Sequence, residues 1–302
     1  MASTGKRAQG LASAVLLVLA IPGSAQATSA PDLFYQRAMI TAADHACRLF
    51  SPLVAGALAA ATAQARGAAL RAGATPSQLA AIEARANAAG AAAGCRSASL
   101  AAATRRVRAA FDGYASLERL EFPTDASAWI AVRPANRAQN GWRVSQNGRF
   151  GWDQMVFGLA AHGRERPLMA VAVFADGAQP YAARLVMRDP EVTDRPYLDA
   201  RAADLSGRLP LDARMPPRAA ARVFEAEAMS PVGDDLRPPG DGAAWAFRFP
   251  PAAADALAGL DPREAVAVEF LFAVDGPESQ RTAYVEVGDF AAARAFQALP
   301  RP

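Results

Sequence analysis

The sequence predicts an α+β protein: an N-terminal disulfide-linked helical hairpin or bundle, then a mainly antiparallel β-sandwich with a C-terminal helix. Three observations predict this. Alanine supplies 21 of the 50 residues from 51 to 100, and helix-capping residues punctuate that block. After Pro123, apolar residues alternate with period two between Gly- and Pro-rich stretches. The only two cysteines, Cys47 and Cys95, both fall in the alanine-rich part. The domain plan is a signal peptide at 1–27, an Ala-rich helical module at 28–122 and a β-rich domain at 123–302.

The first segment reads as an export signal. Lys6 and Arg7 precede an apolar run from Leu11 to Ile21, Pro22-Gly23 breaks it, and Ala25-Gln26-Ala27 offers a small-x-small cleavage site. Eleven apolar residues are too few to span a bilayer, and no later stretch reads as long and apolar enough. Cleavage removes the only lysine, Lys6. The chain from Thr28 then holds 30 basic and 29 acidic residues. Such a near-neutral chain gives no sign of a nucleic-acid partner or a basic partner-seeking surface.

Four helices are expected next. Leu33, Ile40 and Cys47 recur every seven residues, with Ala43 and Phe50 on the same stripe. Ser51-Pro52 is an N-cap with Pro at N1, opening a helix to about Arg71 that Gly73 stops. Thr75-Pro76-Ser77-Gln78 is a capping box for a third helix, interrupted near Gly90 and Gly94. A fourth carries Leu100, Ala103, Val107, Phe111, Tyr114 and Leu117, and Pro123 ends it. Asp44 and Arg48 are spaced as a surface helix pair.

An even cysteine count in an exported chain predicts a Cys47–Cys95 disulfide. A metal site at His45, Cys47 and Cys95 is disfavoured, because residues two apart on a helix point to different faces. Neither a metal nor any cofactor is expected.

In the β-rich part, Trp129 to Val132 opens the set of strands. Leu168 to Ala175 is apolar on both faces, the mark of a central strand. Tyr181–Met187 and Arg222–Met229 follow. Trp245, Phe247 and Phe249 alternate with Ala244, Ala246 and Arg248. Val266–Val274 and Ala283–Val287 form a hairpin around Asp275-Gly276-Pro277, and short helices occupy 251–260 and 288–299.

The tail FRFPPAAADALAGLDPREAVAVEFLF, then RTAYVEVGDFAAARAFQAL, resembles the C-terminal half of invasion-associated locus B-like periplasmic domains. That resemblance implies a small β-sandwich without an established enzyme activity, and it transfers no functional residue. More broadly the chain resembles exported proteins of Gram-negative bacteria.

Catalytic motifs are absent from the sequence: no G-x-S-x-G, H-E-x-x-H or phosphate-binding glycine loop occurs. Without lysine, the mature chain has no Schiff-base chemistry. Arg105, Arg106 and Arg108 form a candidate docking patch on the fourth helix. Trp142, Arg143 and Trp152 form a candidate binding surface around an Asn147-Gly148 hairpin turn. Asp234, Asp235 and Asp241 read as a solvated loop. The expected function is a non-enzymatic binding or interaction protein, periplasmic or secreted. Its partner is an envelope protein or small ligand, and the helical module is a possible route to oligomers. The alternative is a hydrolase-type enzyme around Asp153, His162 and Glu165.

Overall fold

The computed structural model describes residues 28–134, 139–161, 165–198, 209–239, 242–273, 276 and 279–299. The expected signal peptide, His162 and Asp241 lie outside the described residues.

Four helices come first: α1 (Ala30–Cys47), α2 (Pro52–Arg71), α3 (Pro76–Ala92) and α4 (Ala98–Ala115). Each opens on the hydroxyl the sequence supplies. Ser29, Ser51, Thr75 and Ser97 accept from backbone N–H groups of the first turn. Thr75 and Gln78 complete the capping box. Gly90 does not interrupt α3. A Cβ there would lie 2.4 Å from the Met39 carbonyl oxygen, so glycine lets α3 press onto α1. Cys47 and Cys95 are bonded, tying the end of α1 to the approach to α4. Asp44 does not pair with Arg48. Its carboxylate accepts from the Phe50 amide, while Arg48 turns left-handed to end α1.

The fourth helix stops short of Pro123. After α4 the chain enters β1 (Arg119–Phe122), which pairs with β2 (Trp129–Val132). The strands β3 (Gly141–Phe150), β4 (Asp153–Ala161), β5 (Leu168–Val173), β6 (Ala182–Arg188), β7 (Ala221–Glu225), β8 (Ala228–Pro231) and β9 (Ala244–Phe249) follow. Then come α5 (Pro251–Gly259), β10 (Ala265–Leu271), β11 (Gln280–Glu286) and α6 (Phe290–Gln297). The run expected as one strand at 222–229 is therefore two strands, and they join different sheets.

Both sheets are antiparallel. One has seven strands in the order β1-β2-β3-β4-β5-β9-β8, and the other four in the order β11-β10-β6-β7. Leu168–Val173 is central, as its two apolar faces require, and β10–β11 is the expected hairpin. The sheets share one core, in which Phe157, Phe247 and Phe249 of the wide sheet meet Val266, Val268 and Phe270 of the narrow one. The wide sheet extends further, and α6 covers the remainder. Phe290 packs on Trp129 and Phe296 on Phe122. Helix α2 then packs on α6 and adds Ala57 and Ala60 to the same core. At the edge of β11, the buried Gln146 side-chain amide accepts from the Glu286 N–H and donates to its carbonyl. That occupies an edge that would otherwise offer free backbone groups.

Helix α2 is the one described helix with the length and hydropathy of a membrane span, contrary to the sequence reading. Half of its apolar window is buried inside the protein, where α2 packs on α1, α4 and α6.

Candidate functional site

Helix α2 meets the α5–α6 corner around a cavity of about 190 Å³. Its walls are apolar: Ala63 and Leu70 from α2, Leu257 and Leu260 at the end of α5, and Val287 and Ala292 at the start of α6. The polar groups gather at the α2–α6 side. Asp289 holds the N-cap position of α6, yet its carboxylate makes no cap hydrogen bond. It accepts instead from Arg71, at 2.9 and 3.1 Å. Burial pushes the Asp289 carboxyl up, against the opposing effect of the Arg71 charge. The N–H groups of Ala291 and Ala292 therefore keep no acceptor among the described residues. Arg66 also lines the cavity, and its guanidinium has no carboxylate partner among the described residues. The result is a small, mainly apolar chamber whose lining includes one unpaired arginine and two backbone donors unmet among the described residues. Its chemistry suits a carboxylate with a short apolar body.

A smaller cavity of about 70 Å³ is lined by Arg133, Arg143 and Arg166. This corrects the expected surface of Trp142, Arg143 and Trp152. Arg143 is 3% exposed, so it presents no open face. A β-bulge between Trp142 and Val144 changes the facing of the strand there. The Trp142 indole donates to the Leu236 carbonyl and packs against the outer face of the wide sheet. The turn is not Asn147-Gly148, which lies inside β3. It is Gly151-Trp152, a two-residue loop between paired Phe150 and Asp153. Gly151 takes φ +60° and Trp152 does not follow it to positive φ, the pattern with glycine first. Trp152 is 92% exposed at that tip. About 27 Å of strand separates it from Trp142.

The expected acid–base group does not assemble from its described members. Asp153 opens β4 and Glu165 follows its far end, so the length of the strand, about 27 Å, lies between them. Asp153 accepts from the Ala175 amide and from Arg281, and Glu165 accepts from Arg248. Arg281 also bonds Asp176, holding that carboxyl down at about 2.

No protein-family model, curated protein or solved structure matches this chain. The site is therefore read from its own residues.

Arg105, Arg106 and Arg108 are exposed on α4, as expected. Sequence reasoning missed what surrounds them. Residues 28–116 carry nine arginines against four acidic residues, while 117–302 carry 21 basic against 25 acidic. A near-neutral total hides that segregation, and counting charge by segment would have found it. The cavity left no comparable trace. Arg66, Arg71 and Asp289 are separated by up to 223 positions in the sequence and share no local pattern.

Proposed function

We propose that this is an exported, non-enzymatic binding protein of the cell envelope. Its ligand is a small molecule with a carboxylate and a short apolar chain, held between α2 and the α5–α6 corner. The observation that carries the reading is the cavity's lining, which combines apolar side chains with Arg66 and with Ala291 and Ala292, whose amides have no acceptor among the described residues. The disulfide fits an extracellular or periplasmic setting. The separation of Asp153 from Glu165 favours binding over hydrolysis.

Thermal unfolding with straight-chain carboxylates from butanoate to decanoate tests this. One member of the series raises the wild-type melting temperature saturably, because a ligand of the native state stabilises it by mass action. Arg66→Ala weakens that effect by about tenfold in apparent affinity, as loss of a charge-assisted contact worth ~1.5 kcal/mol implies. A series with no saturable shift, or an Arg66→Ala variant that responds like wild type, overturns the assignment.

A further inference from the structure

We infer that the arginine face of α4 docks the protein on an anionic phospholipid surface. The disulfide holds Cys47 and Cys95 with their Cα atoms 5.5 Å apart. Arg48 and Arg96, the next residue after each cysteine, are thereby brought within about 13 Å of one another. Both side chains are exposed. Arg108 donates to the Leu49 carbonyl at 2.5 Å, which lays the 48–50 segment along α4. Arg105 stands one turn before Arg108 on the same side, with Arg106 beside it. Among the described residues, none of these five arginines has a carboxylate partner.

The sheets treat arginine differently. Arg184, Arg188, Arg214, Arg222, Arg248, Arg263 and Arg281 all meet carboxylates. Arg119, Arg149, Arg195 and Arg218 are exposed in that part of the chain without a carboxylate partner among the described residues, but they are scattered along the sequence. Those of the helical module include Arg105, Arg106 and Arg108 on one helix, where the segment carries its excess positive charge. Guanidinium groups match phosphate oxygens with paired hydrogen bonds.

The face also lacks what a protein partner would grip. Every large exposed apolar side chain among the described residues lies at Leu117 or beyond. Protein interfaces depend on buried aromatic or aliphatic anchors, whereas adsorption to anionic headgroups needs clustered positive charge. Charge complementarity with a lipid phosphate surface is thus the feature this face supplies.

Vesicle co-sedimentation tests the inference on the whole exported chain with its disulfide intact. Two vesicle types are compared: phosphatidylcholine alone, and phosphatidylcholine with one-third phosphatidylglycerol. The protein sediments with the second and not the first, and raised salt releases it. The double variant Arg105→Glu/Arg106→Glu loses at least about tenfold in partitioning. The variant Arg149→Glu, with its exposed change on β3, keeps wild-type binding. Circular dichroism and free-thiol assay establish that each variant is folded and oxidised. Equal binding to both vesicle types overturns the inference, as does equal loss in the Arg149→Glu variant. Capture by soluble poly-glutamate without vesicle binding overturns it in favour of an acidic protein. Loss of vesicle binding leaves carboxylate binding at the α2–α6 cavity intact, so the two proposals fail separately.

Discussion

The Glu286 carboxylate is buried at the end of β11 and receives four donors. They are the Thr124 hydroxyl at 2.8 Å, the Asp125 and Ala126 amides at 3.2 and 2.8 Å, and Arg214 at 3.1 Å. Its main-chain carbonyl also accepts from the Trp129 indole, at 3.1 Å. One residue thus clasps the β1–β2 connection and the turn at Asp212–Arg214 onto the narrow sheet. Removing one partner of a buried ion pair strands the other as an uncompensated buried charge. Glu286→Gln should lower unfolding stability by about 3 kcal/mol or more in a urea titration. Glu225→Gln, which breaks the exposed pair with Arg184, should cost under about 1 kcal/mol. Similar losses in both variants would mean that Glu286 is solvated. Nothing in the local sequence marks Glu286 for this role. It occupies an ordinary polar position of an alternating strand, and its partners lie up to 162 positions away.

Among elements, those stabilised locally were the ones legible in the sequence. The caps at Ser51 and Thr75 act within one helical turn, so their residues alone place the starts of α2 and α3. The β10–β11 hairpin was equally plain from its alternation. The end of α4 was not, because Leu117 continues the apolar spacing that Val107, Phe111 and Tyr114 set. Pairing of Arg119–Phe122 with Trp129–Val132 overrides that helical period. The tight turn was misplaced for a related reason. Asn147-Gly148 has turn chemistry, yet the registered pairing of β3 with β4 carries it into the strand. The disulfide was legible from cysteine count, and it closes a sequence separation of 48 residues. Chain-entropy arguments put its contribution at about 4 kcal/mol. Reduction, or Cys47→Ser/Cys95→Ser, should therefore lower the urea midpoint, with a slope that rises as the unlinked denatured chain expands. A midpoint unmoved by reduction would show that α1 and α4 are held by packing alone.

At the scale of the whole molecule, the helical module and the sheets are joined by a mismatch in width. Seven strands face four, and the uncovered part of the wide sheet would expose Phe122 and Trp129 without α6. Helix α6 in turn buries its far side against α2, and Arg71 of α2 grips Asp289 at its start. No periodicity in the sequence announces this arrangement, because it depends on which surface each finished element leaves bare. It has a thermodynamic consequence. Ala57 and Ala60 of α2 belong to the same buried cluster as Phe157, Phe247 and Phe270 of the sheets. Opening one part therefore exposes apolar surface on the other, which couples their unfolding. Heating should give a single transition. The helical circular-dichroism signal and the fluorescence of Trp129 of β2, fully buried under α6 and isolated by replacing Trp142, Trp152 and Trp245 with Phe, should share one midpoint. If the helical signal melts first while Trp129 stays shielded, α2 is an appendage, and the cavity it closes against α5 and α6 would open independently of the sheets. A shared midpoint means instead that the cavity persists as long as the fold does, so a ligand bound there stabilises both parts together.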